Sequence, residues 1–164
     1  MYTSTFKDGY SDTVIGTTQS AANDDLKVPD FDPERTGYWF NGWWTEPDGG
    51  YQVDINSKVT TDATYYAHWR IREYQISYNM NNDDAALPSG LRTWYTIEDE
   101  AYAPPPPENP FGYEFTGWVP SSTIGKSEDI TFTARWTRVK FTITFVQMNG
   151  RDDILDKQEY KSVI

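Results

Sequence analysis

The chain has 164 residues, enough for one ordinary domain or two small ones, and it contains no cysteine. The missing thiols exclude disulfides and thiolate metal sites, and a formal net charge of −11 makes nucleic acid and anionic membranes unfavourable partners. Aromatic residues make up 16% of the chain although hydrophobic residues are only 37%, so we expect a thin core built mainly from aromatic side chains.

The N-terminus and the apolar segments give no sign of a membrane anchor. No apolar run approaches the roughly 20 residues of a membrane-spanning helix, so membrane insertion is not expected. Residues 1–4 have neither the basic start nor the apolar centre of a signal peptide. Met1 is therefore interpreted as the start of an excised fragment.

Three segments that alternate apolar and polar residues, at positions 2–6, 74–78 and 141–145, predict half-buried strands. Each is expected to open one repeat unit. The predicted units span residues 1–70, 71–138 and 139–164, the last being the truncated start of a third module. Ser4 interrupts the apolar face that Ile76 keeps, so the first strand is expected to fray there.

Each complete unit is predicted to contain four strands, separated by Gly, Asp, Asn and Pro turn residues. The crossing segment after the second strand is too short and too rich in Asn and Asp for more than a turn or two of helix. Four consecutive prolines in the second unit are interpreted as a polyproline II connector rather than a ligand motif. The strands are expected at residues 2–6, 12–19, 37–44 and 64–69, and at residues 74–78, 92–97, 112–119 and 131–136.

The third strand of each unit carries the pattern Gly-Tyr-x-Phe-x-Gly-Trp, at residues 37–43 and 112–118. With Tyr38 and Phe40 facing inward, the period of two turns Trp39 outward. The second glycine of the pattern predicts a β-bulge that returns the following tryptophan to the core. Each copy is followed by a strand that ends on Ala-x-Trp, whose alanine and tryptophan are expected to face inward.

These motifs, with Val-Thr-x-Asp-x-Thr-x-Tyr-Ala-x-Trp at residues 59–69, resemble the Listeria-Bacteroides repeat, the B-repeat of internalin B. The second unit is similar to a shorter variant, with residues 119–123 in place of the turn that contains Asp48, Gly49 and Gly50 in the first unit. The resemblance implies β-grasp-like four-stranded modules in tandem on secreted or wall-anchored bacterial proteins, a mostly β fold in which a small α+β content is possible. It brings no catalytic residue. Because residues 70–73 and 137–140 contain no Gly or Pro, the array is expected to be extended.

The residues that could carry chemistry are interpreted as structural. The single His68 corresponds to Arg135 in the second unit, and no cysteine is present, so a catalytic triad is not expected. The Asn and Asp clusters at residues 23–25 and 81–84 lack the spacing of a calcium loop and are expected to be solvated turns. No catalytic, cofactor-binding or metal-binding residue is therefore predicted.

Aromatic residues that do not recur between the units are the candidate partner-binding residues. The tryptophans that recur, Trp43, Trp69, Trp118 and Trp136, are assigned to the core. The candidates are Trp39, Trp44, Tyr51 and Trp94. The alternative for Trp44 and Trp94 is that they cover the edge of a thin core or the joint between units, and an open sheet edge offers a second route to binding.

The sequence thus predicts a non-catalytic repeat segment of a bacterial cell-surface or secreted adhesin, located outside the cell or in its wall. It would act as a spacer, bind a host protein or glycan, or do both. One alternative is a set of accessory spacer repeats in a secreted multidomain hydrolase. Another is a module specific for one host protein, such as immunoglobulin.

Overall fold

The computed structural model describes residues 1–142, 145–146 and 152–153. The chain forms two compact units, unit 1 at Met1–Glu73 and unit 2 at Tyr74–Ile164. In unit 2 the short strands β9 (Phe145–Val146) and β10 (Asp152–Asp153) pair antiparallel. Most of the predicted third module, residues 139–164, lies outside the described residues.

Unit 1 is built on one mixed sheet of four strands, β1 (Tyr2–Asp8), β2 (Val14–Ser20), β3 (Tyr38–Trp44) and β4 (Ala63–Ile71). Their order in the sheet is β2-β1-β4-β3. The central strands β1 and β4 are parallel, and the outer strands β2 and β3 run antiparallel to their neighbours.

Unit 2 repeats this arrangement with the strands β5 (Tyr74–Asn79), β6 (Trp94–Tyr95), β7 (Tyr113–Val119) and β8 (Ile130–Arg138). Their order in the sheet is β6-β5-β8-β7, and the central pair β5 and β8 is parallel. The predicted tandem of four-stranded β-grasp-like modules is confirmed. In the part of the chain that the structure describes there is no helix, and hence none that could cross a membrane.

Paired loop segments, without a turn of helix, cover the inner face of the unit 1 sheet. The amide of Leu26 donates to the carbonyl of Ser57 at 2.9 Å, and the amides of Asn23 and Val59 make similar bonds across the same two segments. Leu26 and Val59 thereby join Phe6, Trp43 and Ala67 in the buried core. The two loops complete a core that the sheet alone could not close.

The predicted fraying at Ser4 is wrong, because β1 runs unbroken through it. Ser4 is buried and faces Thr18 on one neighbouring strand and Ala63 on the other. At the corresponding place in unit 2, Ile76 faces Ile130. Small side chains in unit 1 thus replace a pair of large ones, so the strand keeps its pairing while the local side-chain volume changes.

Strand β6 has two residues, whereas the sequence predicted a strand over residues 92–97. Side-chain hydrogen bonds hold the backbone just outside both ends of β6. The Tyr78 hydroxyl donates to the carbonyl of Arg92 at 2.7 Å, and the Asp99 carboxylate accepts from the amide of Thr96 at 2.7 Å. These bonds turn the chain away from β5 before and after Trp94 and Tyr95.

The predicted β-bulges are present in both units. The register of β3 against β4 shifts between Phe40 and Trp43, and that of β7 against β8 shifts between Phe115 and Gly117. Gly42 and Gly117 have φ values of +89° and +142°, in the region that favours glycine. Trp43 and Trp118 are consequently only 7% exposed.

Candidate contact surfaces

Trp39 lies on the outer face of the unit 1 sheet, as the period of two predicted, and 56% of its surface is exposed. The guanidinium carbon of Arg72 lies 3.6 Å from the ring centre of Trp39, a cation–π contact. Arg72 is itself anchored, since its Nε donates to the carbonyl of Tyr38 at 2.9 Å. The exposed indole therefore has a fixed position before any partner arrives.

Trp44 is half-buried on the same outer face. Its ring stacks on His68, with the ring centres 4.5 Å apart and the planes 3° from parallel, and its Nε1 donates to the carbonyl of Asn41 at 3.0 Å. His68 Nε2 lies 2.9 Å from the carbonyl oxygen of Glu46, within hydrogen-bonding distance. Trp44 is not among the residues that pack on the unit 1 core, and its stacking partner is His68.

The other two candidates lie elsewhere. Tyr51 is 81% exposed in the loop after β3, where its backbone amide donates to the Thr45 hydroxyl at 3.0 Å. Trp94 is 49% exposed on β6 of unit 2. The structure thus brings Trp39 and Trp44 onto one sheet face, with Tyr51 in the neighbouring loop, and places Trp94 in the other unit.

Tyr66 was missed as a member of this surface. It is the residue of β4 that pairs with Trp44 in register, and its place between the inward Tyr65 and Ala67 puts it outward. The alternation that identified Trp39 would also have identified Tyr66. We call Trp39, Trp44, Tyr66 and His68 the aromatic face of unit 1.

The same face of unit 2 is not aromatic. Glu114 and Arg135 occupy the places of Trp39 and His68, and the register pair Val119 and Thr133 replaces Trp44 and Tyr66. This part of the sheet is required by the fold in both units, whereas its aromatic character is specific to unit 1.

A second feature is an arginine stacked between tyrosines in unit 1. The guanidinium carbon of Arg35 is 4.0 Å from the ring centre of Tyr10 and 3.8 Å from that of Tyr38. It is also 6.0 Å from the ring of Trp69. No sequence signal marks this cluster, because its members come from three separate segments of the chain.

The corresponding place in unit 2 is an open cleft of about 490 Å³. The half-buried rings of Tyr113 and Trp136 form one side, and the loop after β5 forms the other. That loop contains the Asn and Asp residues that were expected to be solvated turns. The cleft is lined by residues 81–84 together with Tyr113, Arg135, Trp136 and Arg138.

Hydrogen bonds set the pKa of Asp8, next to the arginine stack of unit 1. Partial burial raises the pKa of this carboxyl, but hydrogen bonds from the Ser11 hydroxyl, the Trp69 indole and the Tyr10 amide outweigh burial and hold the pKa below its usual value. The indole of Trp69 donates to Asp8 at 2.7 Å, whereas that of Trp136 donates to the carbonyl of Met80 at 2.6 Å. The carboxylate of Asp8 thus accepts from Trp69 the hydrogen bond that a backbone carbonyl accepts from Trp136 in unit 2.

Two copies of one four-stranded module, with the same bulge and the same pair of core tryptophans, define a tandem-repeat protein. The chain belongs to the Listeria-Bacteroides repeat domain family, which it matches over residues 2–68 and 74–139. The resemblance inferred from the two motifs is confirmed.

Two proteins of Evansella cellulosilytica are similar in sequence. A candidate membrane protein is 26% identical over 144 residues, covering 80% of this chain and 21% of its own length. A candidate Gly-rich membrane protein is 26% identical over 142 residues, covering 80% of this chain and 16% of its own. The chain therefore spans about a fifth or less of either relative.

Among solved structures, the chain is similar to Streptococcal High Identity Repeats in Tandem (SHIRT) domains 3-4 from a cell surface protein. The TM-score is 0.30 at 13% sequence identity, with 85% of this chain and 99% of that chain covered.

Proposed function

We propose that the chain is a non-catalytic repeat segment of a bacterial cell-surface or secreted adhesin, located outside the cell. It serves as a spacer and offers a contact surface for a host protein or glycan. The observation that carries the proposal is that two units share one sheet and one pattern of buried tryptophans while their exposed side chains differ.

Two further observations support a surface role. The family is a tandem-repeat family, and the relatives that contain similar repeats are described as candidate membrane proteins that are much longer than this chain. Repetition of a small module in a long envelope protein adds length and presents other domains at a distance.

The non-catalytic role is supported by what the ionisable side chains do. His68 stacks on Trp44 and has the carbonyl of Glu46 at hydrogen-bonding distance, and Asp8 is held by structural hydrogen bonds. The corresponding positions in unit 2 are Arg135 and Met80, which cannot act as a general base. Neither unit repeats an acid–base pair of the other.

The surface location is tested by labelling. An antibody raised against the 164-residue chain should label intact cells of the producing bacterium, and lysis should add little signal. Labelling that needs lysis would refute the surface location, because the chain would then lie inside the cell envelope.

A second function, binding of a host protein, is favoured by the aromatic face of unit 1. Exposed Trp and Tyr side chains in a polar surrounding are typical of interface hot spots, and Trp39 is exposed yet held in place by Arg72. A pull-down from serum or mucus with the immobilised chain should retain a protein that the Trp39→Glu variant loses. An empty lane with both chains would favour the spacer role alone.

A further inference from the structure

The cleft of unit 2 lies entirely within that unit and is lined by groups of three kinds. The rings of Tyr113 and Trp136 are apolar surfaces, the carboxylates of the loop after β5 are hydrogen-bond acceptors, and the arginines of β8 are donors. Its volume of about 490 Å³ falls in the range of roughly 300–1,000 Å³ that is typical of small-molecule sites.

The polar groups of the cleft are available. Among the residues that the structure describes, the carboxylates of Asp83 and Asp84 and the guanidinium of Arg135 have no hydrogen bond or ion pair. Arg138 has a single cation–π contact, with its guanidinium carbon 6.0 Å from the ring centre of Tyr113. Acceptors and donors thus face the same space without satisfying one another.

Unit 1 shows that the fold does not require this space to be open. Tyr38 and Trp69 are the counterparts of Tyr113 and Trp136, and in unit 1 the guanidinium of Arg35 lies against both of them and is covered by Tyr10.

Arg35 and Tyr10 fill this space in unit 1, and we call these two side chains the plug. Both are replaced in unit 2. The motif aligns Arg35 with Pro110, and the opening strands align Tyr10 with Asn82. The backbone is alike at the first of these positions, since the carbonyl of Arg35 accepts from the amide of Tyr38 at 3.0 Å and the carbonyl of Pro110 accepts from the amide of Tyr113 at 3.1 Å. The backbone is therefore alike where Pro110 replaces Arg35, whereas the loop after the opening strand is longer in unit 2, at residues 80–93, than in unit 1, at residues 9–13.

The balance of charges selects the class of ligand. A cation that approached Asp83 and Asp84 would be repelled by Arg135 and Arg138. An anion that approached the two arginines would be repelled by the two aspartates. A neutral molecule with many hydroxyl groups can accept from the arginines and donate to the aspartates at once. Its apolar C–H face can lie on the exposed parts of the Tyr113 and Trp136 rings. We infer that this cleft binds a neutral saccharide.

The saccharide is bound and not cleaved, and in this respect alone the inference rests on the proposed non-catalytic function. The cleft is open to solvent and its polar groups are exposed, so a single sugar ring should bind with millimolar affinity. Tandem copies on one long protein would raise the apparent affinity for a polysaccharide.

The test uses NMR on the 164-residue chain, following the indole N–H signal of Trp136. The neutral probes are the methyl glycosides of glucose, galactose, mannose and N-acetylglucosamine, and the ionic probes are methylguanidinium chloride and sodium acetate. We expect at least one methyl glycoside to shift the signal with saturation at millimolar concentration, and neither ionic probe to do so.

Variants locate the site. The double variant Asn82→Tyr and Pro110→Arg introduces the plug of unit 1 and should abolish the shift. The single variants Asp83→Ala and Arg135→Ala each remove one exposed polar group without touching the core and should weaken binding about fivefold. Glu100→Ala in unit 2 and Arg70→Ala in unit 1 are matched controls, exposed and outside the cleft, and should bind like the native chain.

Three results would overturn the inference. These are no shift with any of the four glycosides, an equal shift in the plugged and native chains, or a shift with an ionic probe alone. If the plugged variant fails to fold, the single variants decide, and native affinity in both Asp83→Ala and Arg135→Ala would overturn the inference. Failure in any of these ways leaves the surface location untouched, because antibody labelling of intact cells tests it separately.

Discussion

Replacing Trp39 by glutamate, the residue that unit 2 has at the corresponding Glu114, separates a contact role from a stabilising one. The substitution removes the cation–π contact with Arg72, which at an exposed site is worth about 0.5–1 kcal/mol. The new carboxylate can form an exposed ion pair with the same arginine, worth about 0.2–1 kcal/mol. The lower strand propensity of glutamate costs at most about 1 kcal/mol.

These contributions largely offset one another, so the free energy of unfolding should fall by no more than about 1 kcal/mol. In a unit of this size that corresponds to a melting temperature lowered by less than about 8 °C. Truncation of an interface hot spot, in contrast, costs about 2–4 kcal/mol of binding free energy, a loss of about 30-fold or more in affinity.

The two quantities are measured on the same preparation, by thermal unfolding followed by circular dichroism and by quantitative capture from serum or mucus. Arg70→Gln, which removes one positive charge from an exposed residue that pairs in register with Trp39, changes the net charge by the same one unit and is the matched control for the change in charge. Unchanged capture by the Trp39 variant together with a clearly lower melting temperature would refute the contact role and make Trp39 a structural residue.

Three further predictions concern the fold. Gly42→Ala should destabilise unit 1 and Gly117→Ala should destabilise unit 2, each by about 1–3 kcal/mol in urea unfolding, because their φ values of +89° and +142° are ones that residues with a Cβ rarely adopt. Phe132→Ala should lower the free energy of unfolding of unit 2 by about 3–5 kcal/mol, since the ring is fully buried. A urea unfolding midpoint equal to that of the native chain would contradict this. Because the pKa of the Asp8 carboxyl is lower in the folded state, this group stabilises the fold at pH values above its unfolded-state pKa near 3.8, and the contribution is lost as pH falls through the lower folded pKa. Asp8→Asn should therefore flatten the acid limb of a stability–pH curve. An unchanged acid limb would refute this role of Asp8.

The sheet could be predicted from the sequence because its signals are local. Alternation with a period of two marks each strand, and a glycine before a tryptophan that must return to the core marks each bulge. The length of β6 could not be predicted, because the hydroxyl that holds the Arg92 carbonyl just before β6 belongs to Tyr78, a residue of another strand that no local pattern connects to it. Likewise the continuity of β1 at Ser4 depends on Ala63, a residue of a neighbouring strand that no local pattern connects to it.

The candidate site shows the same division. The exposure of Trp39 follows from its place in a strand, and the alternation also predicts Tyr66 once β4 is recognised. The cation–π contact of Arg72 and the stack of Arg35 between Tyr10 and Tyr38 join separate segments, so the sequence contains no pattern for them. The loop after β5 was interpreted as a solvated turn because its residues fit no metal-binding spacing, and only its position beside Trp136 makes it one wall of a cleft.

The two units serve as controls for each other, because each keeps the sheet and the core tryptophans while changing one surface. Unit 1 has an aromatic outer face and a plugged cleft, whereas unit 2 has a polar outer face and an open cleft. Each unit closes its core without the feature that the other has, so the fold does not require either feature in both units. If both surfaces bind, the units contribute different specificities to one chain: an aromatic face suited to a protein partner in unit 1 and a polar cleft suited to a saccharide in unit 2. Binding of a host glycoprotein would then be lost in two separable steps, the protein contact with Trp39→Glu and the sugar contact with the plugged cleft.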